Sequence, residues 1–219
     1  MNWSWHVVWQ VLPIVLKGML VTLVATLGGM ALALLVGLAW VALLLSKKAW
    51  LLWPTRLVVE FIRDTPLLMQ LYFCFYALPE IGITMPALAT GILVLGFNYS
   101  AYTAEVYRAG FINIPKGQWD AAAALNFPRF MAFRRLILPQ ALPPIVPAMG
   151  NNLIAMFKDT PLLATITVLE MLNRAMIFGD RTFHYLEPLT LVGVLFLILS
   201  LAASGLIGWT QRKWLVRRS

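Results

Sequence analysis

The chain has 219 residues, of which 61% are hydrophobic and 12% charged, whereas soluble domains run at about 45–50% apolar and about 25% charged. That apolar content excludes disorder and a soluble fold of this size, and a single cysteine, Cys74, excludes a disulfide-built scaffold. What remains is an integral membrane protein of one helical bundle, with its net charge of +8 carried by loops.

A bilayer core of about 30 Å takes about 20 apolar helical residues to cross. Trp3, Trp5 and Trp9 open the chain as an interfacial belt, and no basic region precedes Lys17, so no cleavable signal peptide is expected. The first apolar stretch, about 18–45, is uncharged. Its Ala25, Gly29, Ala33 and Gly37 recur every four residues, a stripe that lets helix backbones approach closely in lipid. The second, about 53–78, is interrupted by Arg63-Asp64-Thr65-Pro66. The third, about 86–107, carries Glu105 near its end. After a long loop at about 108–142, the fourth stretch, about 143–169, is interrupted by Lys158-Asp159-Thr160-Pro161. The fifth, about 188–210, holds a second small stripe of Ser200, Ser204 and Gly208. The expected fold is all-α, one transmembrane domain over 1–219 with five transmembrane helices.

Five crossings put the two ends on opposite sides. One side collects Lys47, Lys48, Arg56, Arg108, Lys116, Arg129, Arg134, Arg135, Arg212, Lys213, Arg217 and Arg218; the other has Lys17, Arg174 and Arg181. Lys and Arg concentrate in cytoplasmic loops. The N-terminus is therefore expected outside and the C-terminus inside, and the positive charge needs no nucleic acid to explain it.

Residues 63–68 read Arg-Asp-Thr-Pro-Leu-Leu and residues 158–163 read Lys-Asp-Thr-Pro-Leu-Leu, a short repeat in parallel orientation. A charge near the bilayer centre costs about 2.5–3.5 kcal/mol on insertion scales. Proline removes a helix hydrogen bond and disfavours helical geometry in the residue before it. Interrupted segments at corresponding positions point to a binding site near the midplane. Arg63, Asp64, Thr65, Lys158, Asp159 and Thr160 are the candidate substrate pathway or gate, with Glu60 and Glu105 as further candidates. Together they offer both signs of charge to a zwitterion. The structural alternative is a pair of interhelical clasps, Arg63 with Asp159 and Lys158 with Asp64.

In the loop at 108–142, the alanine-rich run from Gln118 to Leu125 is expected to form a short helix. Asn126 suits the left-handed residue that ends it, and Pro128 suits the first turn of a second helix. That second helix is expected to carry Phe130, Phe133, Leu136 and Ile137 on one face and to stop at Pro139. The outcome is a cytoplasmic helix-turn-helix held at the membrane, which speaks against a DNA-reading role.

Asp120-Ala121-Ala122, three residues, Asn126, nine residues, then Leu136-Ile137-Leu138-Pro139 resembles the EAA loop of ABC importer permeases. Asp120 stands where that pattern has Glu, Asn126 where it has Gly, and Leu136 where it has Ile. Residues 60–63 and 65–68, Tyr102, Glu105, Arg108, Gly110, residues 114–118, 138–141 and 158–160 are similar to the polar amino acid subfamily of these permeases. Thr182-Phe183 and Tyr185-Leu186-Glu187-Pro188 are similar to permeases for ectoine and hydroxyectoine. The resemblance implies a multi-pass subunit of the bacterial cytoplasmic membrane, surrounded by lipid. It implies a five-helix core, a second permease subunit, an ABC ATPase dimer and an extracytoplasmic solute-binding protein as partners. It also implies a coupling role for Gly117, Asp120, Ala121, Ala122, Asn126, Leu136, Leu138 and Pro139.

No Gly-x-x-x-x-Gly-Lys-Ser/Thr loop is present, so no cofactor is expected on this chain, with ATP and Mg left to the partner ATPase. His6 and His184 lie far apart with no cysteine near either, so no metal site is expected, and Cys74 reads as a packing residue. No nucleophile–base pair announces a catalytic centre, which weighs against a membrane lipid enzyme. A self-sufficient carrier or channel is the other alternative, and it leaves the cytoplasmic loop without a task.

Overall fold

A computed structural model describes residues 3–216, with side chains described as far as Trp209. Arg217 and Arg218, and the side chains of Arg212 and Lys213, therefore lie outside the described part. All regular structure in it is helical. Helix α1 spans Trp5–Leu44, α2 Ala49–Asp64, α3 Leu67–Tyr72 and α4 Ala87–Ile112. Helix α5 spans Lys116–Ala124, α6 Arg129–Ala132, α7 Leu138–Asp159, α8 Met171–Thr182 and α9 Leu186–Val216.

Helix α1 starts thirteen residues before the expected first stretch, at Trp5 rather than Gly18, and so carries Lys17 within it. At 1.5 Å per residue its 40 residues extend about 60 Å, about twice the hydrocarbon thickness. Its small stripe packs inside the chain, against α4 and, at Gly29, also against α7. Ala25 and Ala33 are fully buried, and a Cβ added at Gly29 or Gly37 would meet Met156 Sδ at 3.0 Å or Thr103 Cγ2 at 2.7 Å. The neighbours advance together, Gly28 beside Ile92, Gly96 beside Leu32, Gly37 beside Thr103, so α1 and α4 run parallel. Trp40 closes the seam by donating from Nε1 to Ser100 Oγ at 2.9 Å. The second stripe, on α9, behaves differently. Ser200 is buried, but Ser204 is exposed and a Cβ on Gly208 would meet nothing within 4 Å.

Helix α7 returns antiparallel to α4, with Ile145 in the notch left by Gly110 and Asp159 beside Tyr99. Helix α9 returns along α7, where Ile207 fills the space at Gly150 and Phe196 stacks on Phe157 at 4.9 Å between centroids. Helix α8 lies across α1, and Gly18 is the reason it can. A Cβ there would be 2.8 Å from the backbone of Glu170 and Met171. Glu170 caps α8, accepting from the N–H groups of Leu172 at 2.8 Å and Asn173 at 2.7 Å. The turn into α9 uses a left-handed Phe183. There Tyr185 packs on Gly179 and donates to Asp180 at 2.6 Å, and Glu187 accepts from the Ser4 N–H at 3.0 Å. Residues 182–188 are thus engaged in holding this turn.

Among the described residues two helices are long and apolar enough to cross a membrane, Trp5–Leu44 and Leu186–Trp209, and a pair bent by 46°, Arg129–Ile166 with Met171–Thr182, brings the number to three when it is counted as one span. The second and third expected spans, α2 with α3 and α4, fall short of that standard. The reason in α4 is its polar content, since Asn98, Ser100 and Thr103 are buried in the protein and do not face lipid.

Candidate functional site

The two repeated motifs have different conformations. Helix α2 ends at Asp64, and Thr65 and Pro66 are extended (ψ 136° and 133°) before α3 begins. This is the geometry that a residue before proline favours. The break frees carbonyl groups, and Gln70, one turn into α3, takes them up. Its Nε2 donates to the Ile62 carbonyl at 2.9 Å, Thr65 Oγ1 at 2.7 Å and the Thr65 carbonyl at 3.3 Å. Asn98 on α4 locks the arrangement by donating from Nδ2 to Gln70 Oε1 at 3.2 Å. At the second motif the chain passes from α7 straight into a 3₁₀ turn, Thr160–Ile166, with Thr160 still helical and its hydroxyl donating to the Phe157 carbonyl at 2.7 Å. The residue equivalent to Gln70 is Thr165, too short to reach back, and it bonds Leu162 instead.

Five residues of the first motif, 63–67, and Asp159 of the second converge on one cavity of about 460 Å³. Arg63, Asp64 and Thr65 line it from the α2 break, Tyr99 and Tyr102 from α4, and Asn152 and Asp159 from α7. Two predicted residues do not reach it: Lys158 is exposed away from the cavity, and Thr160 is fully buried. Neither expected clasp forms. Asp159 accepts from the Tyr99 hydroxyl at 2.6 Å. Arg63 makes no ion pair among the described residues and lies with its guanidinium 5.5 Å from the Tyr102 ring centre. The clasps fail because aromatic residues of α4 stand between the two motifs and bind one charge from each.

Glu60 and Glu105 lie elsewhere, in a second cavity of about 280 Å³ between the C-terminal end of α1, one side of α2 from Leu52 to Arg63, and the last turns of α4. Each is paired on its own helix, Glu60 with Arg56 at 2.8 Å and Glu105 with Arg108 at 2.6 Å. Reasoning from sequence overlooked Tyr99, Gln70, Asn98 and Asn152, and it named Tyr102 only within the family resemblance, not as a site residue. The available signal was polar spacing: Asn98 and Tyr102 stand four apart on α4, and Asn152 and Asp159 seven apart on α7, each pair on one helix face.

The loop beyond α4 forms the expected helix-turn-helix. Asn126 has φ 54°, with Asn126 N–H bonded to the Ala123 carbonyl and Phe127 N–H to the Ala122 carbonyl, a Schellman ending of α5. Pro139 does not end the second helix. A π turn at Phe133–Ile137 carries α6 directly into α7, with Pro139 in its first turn, where a missing N–H costs little. The inserted residue of that turn also splits the expected apolar face: Ile137 is fully buried, while Phe130 is 75% exposed. Gln140 ties α5 to this helix through Gln118 at 3.1 Å. Ala122 is buried in the join and Leu136 and Leu138 are partly buried. Gly117, Asp120, Ala121 and Asn126 are exposed beside Trp119, Leu125 and Phe127.

Residues 29–218 match the family model described as the binding-protein-dependent transport system inner membrane component. The chain belongs to this family. It is a permease subunit of an ABC transporter, a multi-pass protein of the inner membrane and not itself an enzyme, and such a subunit works with a solute-binding protein and an ATPase. The permease is 47% identical over 198 residues to a probable amino-acid ABC transporter permease protein of Sinorhizobium fredii, covering 90% of this chain and 86% of that one. It is 33% identical over 185 residues to the L-cystine transport system permease protein of Bacillus subtilis, covering 82% and 77%. A solved structure described as an amino acid ABC transporter with histidines superposes with a TM-score of 0.91 at 30% identity, over 97% of the permease and all of that chain.

Proposed function

We propose that this permease carries polar amino acids or related zwitterions inward, through the cavity lined by Arg63, Asp64, Thr65 and Asp159. The observation that carries the reading is the convergence of one guanidinium and two carboxylates on a space of about 460 Å³, sized for one small solute. Relatives named for amino-acid transport support the substrate class. A cyclic zwitterion such as ectoine belongs to the same charge class and is included in the test.

The chain crosses the membrane five times, with its N-terminus outside and the α5–α6 loop inside. The crossings are α1, α2 with α3, α4, α7, and α9. A second permease subunit, of the same or another chain, completes the pathway. Gly117, Asp120, Ala121, Ala122 and Asn126, with Leu136, Leu138 and Pro139 behind them, dock the ATPase dimer and pass its closure to α7. The exposed Trp119, Leu125 and Phe130 supply apolar area for that contact.

The test is reconstitution with the ATPase and binding protein encoded beside it. ATP hydrolysis is read with the binding protein empty and loaded from a panel of polar amino acids and ectoine. Stimulation by one loaded ligand is expected, and Asp159→Asn should reduce it at least tenfold. No stimulation by any member of the panel overturns the substrate class.

A further inference from the structure

The two cavities meet at one side chain. Arg63 lines both the upper cavity of the repeated motifs and the lower cavity that holds Glu60 and Glu105. The order along the fold is set by the helices. The lower cavity gathers Leu44, Leu52 and Arg108, residues near the ends of α1, α2 and α4 that face the loop side, whereas the upper one lies further along α2 and nearer the middle of α4. Arg63 is therefore the boundary between an inner chamber and an end chamber.

Its state is unusual for an arginine among carboxylates. Arg56 and Arg108 are each neutralised by a glutamate of their own helix, which leaves Arg63 as the cation of this cluster without an ion pair among the described residues. It rests against the Tyr102 ring, at a distance within the range of about 6 Å for cation–π attraction. Such a contact is strong enough to set a preferred position and weak enough to be released. A guanidinium held by a ring is also free to accept a carboxylate, which would bind it more strongly than the ring does.

We propose that Arg63 and Tyr102 form a septum between the two cavities, closed by the cation–π contact and opened when a solute carboxylate draws the guanidinium off the ring. Arg63 then hands the carboxylate from the upper chamber to the lower one. There the Arg56–Glu60 and Glu105–Arg108 pairs give a charged but locally neutral lining that does not retain it. This rests on the transport reading above and adds a named gate and a second chamber to it. Tyr102 is a positioning residue, because it acts by holding Arg63.

The test uses the assembled transporter in membrane vesicles, without nucleotide or solute. Cys74→Ala removes the single cysteine of the chain, and one reporter cysteine is placed in each cavity, Leu52→Cys below and Ala155→Cys above. The thiol reagent methanethiosulfonate ethyltrimethylammonium, a cation that cannot draw Arg63 off the ring as an anion would, is added to whichever membrane face labels Leu52→Cys. With the septum intact, Ala155→Cys should react at least tenfold more slowly than Leu52→Cys. Tyr102→Leu should raise the Ala155→Cys rate about tenfold and leave Leu52→Cys unchanged, which also reports that the chain is folded. Tyr102→Phe keeps the ring and should preserve the protection. Equal rates for the two reporters with Arg63 and Tyr102 in place, or protection that survives both Tyr102→Leu and Arg63→Ala, overturn the septum. Because no ligand is present, such a result leaves the substrate reading, tested by ATP hydrolysis, untouched.

Discussion

Two glycines show how differently one residue type is used. At Gly18 a Cβ would strike backbone atoms of Glu170 and Met171 at 2.8 Å, and backbone cannot swing aside. Gly18→Ala should therefore destabilise the permease by about 1–3 kcal/mol, the usual range for overpacking, measured as thermal unfolding in detergent. At Gly117 a Cβ would meet nothing within 4 Å, and alanine is the better helix former by about 1 kcal/mol. Gly117→Ala should leave the isolated chain as stable as before or slightly more so. Any loss of stimulated ATP hydrolysis in the assembled complex would then come from a docked partner, and unchanged hydrolysis would remove Gly117 from the coupling surface. Asn126 was legible from sequence because its left-handed turn follows directly from side-chain chemistry. The role of Tyr99 was not, because its meaning depends on Asp159, sixty residues away and brought close only by helix packing.

At the scale of the element, the same six-residue phrase makes a break in one place and a continuous turn in the other. The difference lies outside the phrase, in Gln70 against Thr165. Gln70→Ala removes the nearest donor to the Ile62 and Thr65 carbonyls and leaves the Asn98 amide with only its longer bond, 3.4 Å, to the Ile62 carbonyl. The expected cost is about 1–3 kcal/mol, the penalty of buried polar groups left unpaired. Gln70 and Asn98 act as a unit, so the double variant Gln70→Ala with Asn98→Ala should cost clearly less than the sum of the single changes. Additive losses would show that the two amides act separately. The sequence placed the interruptions correctly, since proline and charge in an apolar run are local signals. Which interruption would unwind was decided by a glutamine one turn downstream, and that required its reach in three dimensions. Pro139 failed as a stop signal for a related reason: a π turn just ahead of it places the proline in a first turn, where it fits.

At the scale of the whole molecule, apolar residues point in two directions. Leu20, Val24, Leu27 and Leu35 of α1, and Leu197, Ile198 and Leu201 of α9, are all more than half exposed in the chain, so lipid or another subunit covers them. Leu197→Arg, near the middle of α9, should lower membrane insertion by the equivalent of about 2.5–3.5 kcal/mol, seen as loss of mature protein in the membrane fraction. Undiminished yield would place that face against water or a polar partner. The apolar cores of α1 and α9 were plain in the sequence for the same reason that they pass as spans on their own, few polar side chains interrupting them, although the start of α1 lay thirteen residues earlier than expected. Helix α4 was read to within one residue at its start, at about 86 against Ala87, and its lower hydropathy reflects the polar residues it turns to the cavities and to the polar knot at Gln70.

The parallel seam between α1 and α4 also sets a schedule for biogenesis. Gly29 meets Leu95, and Gly37 meets Thr103, so each notch waits for a partner made 66 residues later. At about 5–20 residues per second of synthesis, that is a delay of about 3–13 s. During it α1 is already threaded into the bilayer with its notches empty, a docking groove open to any passing small-faced helix. The arrival of α4 closes most of that window, and at Gly29 Met156 of α7 completes the closure later still.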